Sequence, residues 1–328
     1  MLKQRIITAI VLLIGLLAAL FYLPPLYWAG LMALVAAVAA WEWGGLAGLQ
    51  QRGRLVFGGA MLLVCCVWSI RISPTNDVLT LFGVSQYLNL VRLYELPSWF
   101  FWGRWELYLS AAFWCLVAPF WLWRRWRLNL ATWWGKSILL VLGGTLILAT
   151  WSAFIHLHWR PQILLFVLGI AWVSDISAYF TGRKFGGKKL APEISPGKTW
   201  AGVWGALAGV VIYGIALWAI TSHGPSKLWS LMHEGDAGHI LLVISLVFVS
   251  IALFSSFFAA LGIMGDLFES LLKRQAGIKD SSNILPGHGG VLDRIDSLMA
   301  ILPCYAATLH LSHMAKVYYY AVQHNIPL

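Results

Sequence analysis

Residues 240–263 are ILLVISLVFVSIALFSSFFAALGI, a run of 24 residues without a single charged side chain. A run of about 20 apolar residues is long enough to cross the hydrocarbon core of a bilayer as an α-helix. The segment therefore predicts a transmembrane helix. It is followed by Met264-Gly265-Asp266, where charged residues begin, so it also predicts a polar segment directly beside the membrane.

The whole chain has the composition of a polytopic membrane protein. Of its 328 residues, 60% are hydrophobic and only 11% are charged, and the mean hydropathy is +0.75. Soluble domains carry roughly 25% charged residues, so this chain cannot cover a soluble surface, and it is too apolar for intrinsic disorder. The four cysteines lie in apolar segments without a C-x-x-C spacing, which excludes a secreted disulfide scaffold.

Apolar runs recur along the chain, and they predict an all-α membrane protein with about nine transmembrane helices. The first run follows Lys3 and Arg5 and has no small-residue cleavage site, so we expect it to remain as a helix rather than to be removed as a signal peptide. The predicted spans are 6–23, 26–42, 55–70, 107–123, 137–158, 163–181, 200–222, 240–263 and 296–320.

The basic residues indicate the orientation of these spans. Nine spans place 17 of the 23 Lys and Arg residues on the side that holds the N-terminus and 6 on the other side, where Lys316 near the end of the ninth span is included. Cytoplasmic segments carry the excess of Lys and Arg in membrane proteins. We therefore expect a cytoplasmic N-terminus, a C-terminus outside in the periplasm, and cytoplasmic loops at 182–199 and 264–295. This bias accounts for the net charge of +10 without a nucleic-acid partner.

The spans divide into two regions. Residues 1–136 are expected to form N-terminal transmembrane helices with an irregular extramembrane loop at 71–106, which contains two prolines. Residues 137–328 are expected to form the catalytic transmembrane region, because both clusters of polar residues fall within it. Charged residues are costly inside a membrane, so their presence there indicates function.

The first polar cluster begins with Asp175, inside the sixth predicted span, and continues through the loop 182–199. Its five basic residues, glycines and small hydroxyls suit a polyanion such as phosphate, because glycine lets backbone N–H groups approach and Lys and Arg neutralise charge. A loop that binds lipid headgroups is the alternative for the basic residues alone. An acid within an apolar span favours the functional interpretation. The candidate substrate-binding residues are Asp175, Arg183, Lys188, Ser195, Lys198 and Thr199.

The second polar cluster surrounds the last predicted loop. Asp266, Glu269 and Lys273 are spaced i, i+3 and i+7, which places them on one face of a helix that continues from the eighth span. Asp293 and Asp296 share a face at the entry to the ninth span. Carboxylates from two helix ends, with cations nearby, are typical of a Mg²⁺ site that handles phosphates. Stabilisation of the last helix N-terminus by its two aspartates is the alternative.

The segment from Ser270 to Asp296 resembles the signature of the phosphatidate cytidylyltransferases, also called CDP-diacylglycerol synthases. Every defining position is filled: Ser270-x2-Lys273-Arg274-x4-Lys279-Asp280-x-Ser282-x2-Leu285-Pro286-Gly287-His288-Gly289-Gly290-x2-Asp293-Arg294-x-Asp296. The stretches 175–199 and 23–44 are also similar to this family. One departure is Ala201, where the family often has Glu or Gln.

The resemblance implies the transfer of CMP from CTP to phosphatidate, which gives CDP-diacylglycerol and diphosphate in phospholipid biosynthesis. It places the active site at the cytoplasmic face of a bacterial inner membrane. It also implies Mg²⁺, with a second monovalent or divalent cation as an option. The implied partners are CTP, phosphatidate and membrane lipids, with no nucleic acid, and a homodimer is one alternative for the assembly.

The resemblance further implies roles for individual residues. Metal binding falls to Asp266, Asp293 and Asp296, and Lys273 and His288 join them as catalytic residues. His288 is expected to contact a phosphate or to donate to the leaving diphosphate, and a hydrogen bond that stabilises its turn is the alternative. The signature adds three substrate-binding candidates, which are Arg274, Lys279 and Arg294.

Two other functions stay open from the residues alone. The first is a different CTP-using membrane enzyme, such as a polyprenol kinase or a cytidylyltransferase for another lipid phosphate. The second is a transporter, which would place polar residues at the membrane midplane in several helices. In this chain the charged residues concentrate at one membrane face, which favours a lipid-modifying enzyme.

Overall fold

A computed structural model describes residues 2–72, 104–221, 237–285, 287 and 289–323. Nine helices run through this part of the chain. A helix pairs the backbone N–H and C=O groups of its interior with one another, as lipid requires. Their bounds are α1 Leu2–Tyr22, α2 Pro25–Leu46, α3 Gln51–Ile72, α4 Trp105–Arg124, α5 Trp133–His158, α6 Pro161–Phe185, α7 Trp200–Thr221, α8 Ala237–Gln275 and α9 Leu292–Gln323.

The prediction of an all-α membrane protein is confirmed. Within the described ranges, eight helices are long and apolar enough to cross a membrane, and α1 carries the shorter apolar stretch Ile7–Tyr22. The helices extend beyond the apolar runs at the polar end, since α6 continues to Phe185 and α8 to Gln275. Hydropathy misses these turns because a helix does not end where its side chains become charged. Most of the predicted loop 71–106 lies outside the described residues.

The loop between α6 and α7 forms an antiparallel hairpin that the sequence did not predict. Strand β1 is Lys189–Ala191 and strand β2 is Ser195–Thr199, and Lys189 pairs with Thr199. An isolated hairpin is marginal in water. This one is anchored because Ile194 at its turn is buried and its carbonyl accepts a hydrogen bond from Arg274 Nε of α8, at 3.3 Å. The hairpin is therefore fixed against the end of α8.

Close packing of small residues joins α6 to α7. Added Cβ atoms at Gly205 and Gly209 would overlap Thr181 and Ser177 of α6, respectively. Small residues let transmembrane helices approach closely, and this approach replaces the hydrophobic driving force that lipid does not provide. The G-x-x-x-G motif of α7 therefore contributes to packing within the chain.

An aromatic cluster packs α4 against α8. Helix α4 contains a π-helical turn, Phe113–Val117, and the rings of Phe113, Trp114 and Trp121 each meet Phe268 of α8 edge-on, with centroids 5.3–5.6 Å apart. Edge-to-face contacts of this kind stabilise a core beyond the area that they bury. These contacts hold Phe268 against α4. They therefore fix the rotation of α8 about its own axis at the level of its charged residues Asp266 and Glu269.

Candidate active site

The polar residues of both sequence clusters meet where α6 and α8 end and α9 begins. The contact between α8 and α9 is close at this level, because a Cβ on Gly265 would overlap the backbone carbonyl oxygen of Asp296. A glycine is required for such an approach of two helix backbones. The contact places Asp266, the next residue of α8, beside Asp296.

Three carboxylates gather at this contact, and we call Asp175, Asp266 and Asp296 the acidic cluster. Asp175 of α6 has Asp266 among its electrostatic neighbours, and Asp296 of α9 has both of the others. Asp296 accepts a hydrogen bond from the backbone N–H of Ser297 at 2.7 Å. Like charges at short range destabilise each other, so the acidic cluster requires cations.

Lys198 of strand β2 supplies one of these positive charges. Its Nζ lies 2.5 Å from Oδ2 of Asp266, and it is also an electrostatic neighbour of Asp175 and Asp296. The other oxygen of Asp266 accepts a weaker hydrogen bond from Ser270 Oγ at 3.3 Å. The side chains of Lys198 and Asp266 are 25% and 30% exposed, so neither is sealed inside the protein. The hairpin thus delivers its lysine directly to the end of α8.

A second ionic group lies beside the acidic cluster. Lys273 Nζ lies 2.5 Å from Oε2 of Glu269 and 2.7 Å from Oδ1 of Asp293. Glu269 is fully buried, and its Oε1 has no hydrogen-bond partner among the residues that the structure describes. Glu269 is also an electrostatic neighbour of Asp296, so the two groups are continuous. The predicted face of α8 thus divides, with Asp266 in one group and Glu269 and Lys273 in the other.

Asp293 contributes to helix capping as well as to this ionic group. Its Oδ2 accepts hydrogen bonds from the N–H of Gly290 at 2.7 Å and from the N–H and hydroxyl of Ser281, each at 3.0 Å. A carboxylate one residue inside a helix commonly reaches back to the preceding N–H groups. Both oxygens of Asp293 therefore have donors in this structure, whereas Asp296 accepts from a single backbone N–H among the described residues.

Glu42 of α2 is a residue for which the sequence pattern predicts no role. In the structure its hydrogen bonds connect the N-terminal region to the signature segment. Its carboxylate is fully buried and accepts hydrogen bonds from the hydroxyls of Ser281 and Ser282 and from the N–H groups of Val291 and Leu292. The signal that could have revealed it is the one that identified Asp175, an acid within an apolar span.

Several predicted substrate-binding residues have structural contacts of their own. Thr199 is buried, and its hydroxyl accepts from the N–H of Gly202 at 3.1 Å, as an N-cap of α7 does. Arg183 donates to the hydroxyl of Tyr179 at 2.9 Å. Arg274 holds the hairpin turn. These contacts fix the frame around the acidic cluster.

The remaining predicted residues differ in their distance from the acidic cluster. Arg294 is exposed and is an electrostatic neighbour of Asp175, which brings it to the cluster. Lys188 and Lys279 are exposed, and Ser195 is half-buried in β2. In the part of the chain that the structure describes, these three form no hydrogen bond or ion pair with the acidic cluster. His288 lies outside the described residues.

The donor chemistry of the site suits a hard cation. Carboxylate oxygens are the ligands that Mg²⁺ prefers, and the acidic cluster presents three carboxylates to one another, with the unpartnered Oε1 of Glu269 close by. Among the described residues, no group of three or more His, Cys, Asp or Glu side chains is arranged so that it could hold a metal ion by itself. Mg²⁺ commonly keeps several waters and uses one or two carboxylates with substrate phosphates, so the residues fit this ion without a cage.

The chain matches the model of a family described as the cytidylyltransferase family over residues 3–312. It is 37% identical over 313 residues to the phosphatidate cytidylyltransferase of Pseudomonas aeruginosa, which covers 94% of this chain and 97% of that protein. It is 33% identical to the phosphatidate cytidylyltransferase of Haemophilus influenzae, over 93% of this chain and 98% of the other. A 139-residue match at 41% identity links it to the enzyme of that name in Thermotoga maritima.

Proposed function

This chain belongs to the cytidylyltransferase family and functions as a phosphatidate cytidylyltransferase, and we propose that its reaction takes place at the acidic cluster with Mg²⁺ bound there. The observation that carries this proposal is the Lys198–Asp266 ion pair. It joins the upstream basic segment to the downstream signature, although the two residues lie far apart in the sequence. Cations and carboxylates for a triphosphate and a lipid phosphate are thereby brought to one place.

In the proposed reaction, a phosphate oxygen of phosphatidate forms a bond to the α-phosphorus of CTP. The bond from that phosphorus to the bridging oxygen of the leaving diphosphate breaks. The attacking oxygen is already ionised, so no side-chain nucleophile is required. Catalysis of phosphoryl transfer consists mainly of alignment and charge neutralisation.

The basic residues of the site have distinct proposed tasks in this reaction. Lys198 and Arg294 flank the acidic cluster and neutralise substrate phosphates there. Lys273 lies between Glu269 and Asp293 and holds the orientation of Asp293. His288 stays a candidate for contact with a phosphate or with the leaving diphosphate. In this proposal CTP and phosphatidate are aligned by positively charged side chains from three elements, β2, α8 and α9.

The proposed ligands of Mg²⁺ are Asp266, Asp293 and Asp296. Asp266 and Asp296 belong to the acidic cluster, whereas Asp293 is bound by Lys273 and Ser281. When bound, the ion supplies the positive charge that a triphosphate needs to accept an anionic attacking group. The close α8–α9 contact at Gly265 supports this assignment, because it holds two of the carboxylates on neighbouring backbones.

We place the site on the cytoplasmic face of the membrane. The hairpin, the end of α8 and the start of α9 all belong to the side that carries 17 of the 23 basic residues when nine helices are counted as spans. CTP is a cytosolic nucleotide and phosphatidate is a membrane lipid. A site at this face can receive both substrates, one from each phase.

Labelled nucleotide separates this function from a lipid kinase. The purified protein is incubated with phosphatidate and CTP labelled at either the α- or the γ-phosphate, with Mg²⁺ or with a chelator, and the lipid fraction is counted. We expect the α-label in the lipid only when Mg²⁺ is present. The γ-label in the lipid would indicate a kinase, and equal α-label transfer with the chelator would contradict the requirement for a metal. Polyprenyl phosphate as the acceptor tests for another lipid substrate.

A further inference from the structure

A carboxylate from outside the catalytic region binds the signature segment. Glu42 of α2 accepts from Ser282 Oγ at 2.5 Å, from Leu292 N at 2.6 Å, from Val291 N at 3.0 Å and from Ser281 Oγ at 3.2 Å. The single hydroxyl hydrogen of Ser281 is shared between Glu42 and Asp293, and the other three partners donate to Glu42. Such a set is suited to an ionised carboxylate and not to an amide, because one half of an amide is itself a donor.

Two of the four donors are backbone N–H groups at the start of α9. The first N–H groups of a helix have no partner within the helix. A negative charge at this end is favourable because of the helix dipole. Glu42 thus caps α9 from another helix, while Asp293 caps it from within through Gly290. The position of the first turn of α9 depends on α2.

Ser281 connects the two carboxylates directly. Its hydroxyl lies 3.2 Å from Glu42 Oε2 and 3.0 Å from Asp293 Oδ2, and its N–H donates to Asp293. The packing leaves no space for adjustment, since a Cβ on Gly290 would overlap both Ser281 Oγ and Glu42 Oε1. A continuous polar chain therefore runs from Glu42 through Ser281 and Asp293 to Lys273.

We propose that Glu42 is a positioning residue for the cytidylyl transfer, which sets where Asp293 and Asp296 of α9 stand relative to Asp266 of α8. This inference rests on the proposed function of the acidic cluster. Successive residues of a helix are separated by about 100° around its axis. A small rotation of the first turn of α9 would therefore turn Asp296 away from Asp266. The hydrogen bonds of Glu42 within the described residues go to Ser281, Ser282, Val291 and Leu292 and not to the acidic cluster, so it acts through the segment that it caps.

The test compares Glu42→Gln with Glu106→Gln. Glu106 of α4 is a matched control because it is also a fully buried glutamate and also accepts from a serine hydroxyl, Ser152 Oγ at 2.8 Å, but it does not contact the signature segment. For both variants and the wild type, kcat and both KM values are measured per folded molecule. Thermal unfolding and hydrogen–deuterium exchange of the peptide covering 279–296 are measured on the same samples.

We expect Glu42→Gln to lose roughly 10–100-fold in kcat, the range for residues that orient the ligands of a metal site. Exchange in 279–296 should accelerate in this variant, while Glu106→Gln loses thermal stability but keeps the wild-type kcat and the wild-type exchange in this peptide. Glu42→Asp keeps the charge and should recover part of the lost kcat. Equal kcat per folded molecule in Glu42→Gln and wild type would overturn the proposal. A wild type that forms no CDP-lipid would instead contradict the proposed function.

Discussion

Gly265 of α8 lies against the backbone carbonyl of Asp296 in α9, so closely that a Cβ at position 265 would overlap the carbonyl oxygen. Neither a side-chain rotation nor a small shift of a flexible group can relieve this overlap, because the opposing atom belongs to a helix backbone. The distance between the carboxylates of Asp266 and Asp296 therefore depends on having glycine, which has no Cβ, at position 265.

Gly265→Ala should impair both folding and activity. Overpacking of this kind costs about 1–3 kcal/mol, and separation of α8 from α9 moves Asp266 away from Asp296. Thermal unfolding and CDP-lipid formation per folded molecule check the two effects. Gly59→Ala in α3 is the control, since no atom lies within 4 Å of its added Cβ. If Gly265→Ala retains full turnover, the α8–α9 contact does not set the geometry of the site.

Loss of charge at the proposed metal ligands should abolish turnover. Asp266→Asn, Asp293→Asn and Asp296→Asn should each lower activity by orders of magnitude, because each removes charge that a bound cation requires. Double variants should lose much less than the sum of the single losses, since the three carboxylates act as one site. Turnover at saturating Mg²⁺ is the measurement. Near-normal rates in all three single variants would exclude the metal site.

The same variants should differ in stability. Asp293 accepts from Gly290 and Ser281 at the start of α9. Asn keeps one acceptor oxygen but loses the negative charge that a helix N-terminus favours, so Asp293→Asn should lower the free energy of unfolding by about 0.3–1 kcal/mol. Within the described part of the chain Asp296 accepts only from Ser297, so Asp296→Asn should change stability less. Thermal unfolding in one detergent compares the two. An equal loss in both would show that the capping bonds of Asp293 contribute little.

Two ion pairs of the hairpin should differ in their effect on catalysis. Lys198→Met removes the ammonium beside Asp266 and should lower kcat/KM for CTP strongly, because a neutralising charge at the phosphates is lost. Glu193→Gln breaks the pair between Glu193 and Arg125, which is exposed on both sides and should contribute no more than about 1 kcal/mol. Steady-state kinetics with varied CTP measure both. Similar losses in the two variants would indicate that the hairpin fold, and not the charge of Lys198, is required.

The orientation can be tested with fusions. A reporter that works only in the cytoplasm should be silent after Leu328, because an odd number of spans separates this end from a cytoplasmic N-terminus. The same reporter placed after Arg127, in the loop between α4 and α5, should be active. Activity after Leu328 would show that the span count or the orientation is different.

The membrane fold could be predicted from the sequence because its cause is local. A run such as 240–263 excludes water by its own composition, and lipid then requires a helix whatever the rest of the chain does. The region of the site could be predicted for a similar reason. Charged residues such as Asp175 and Asp266 are costly near lipid, so their presence in or beside an apolar span indicates a function. Periodicity also placed Asp266 and Glu269 on α8 beyond its apolar part, as the structure shows.

Only the tertiary structure decided which charges act together. Asp293 and Asp296 share a helix face in the sequence, yet Asp293 binds Lys273 while Asp296 faces Asp266. Glu42 binds residues about 240 positions away. These pairings depend on how closely helices pack and how each is rotated about its axis. Those quantities are set by non-local contacts, such as the glycine at 265, which no period or motif within a single helix contains.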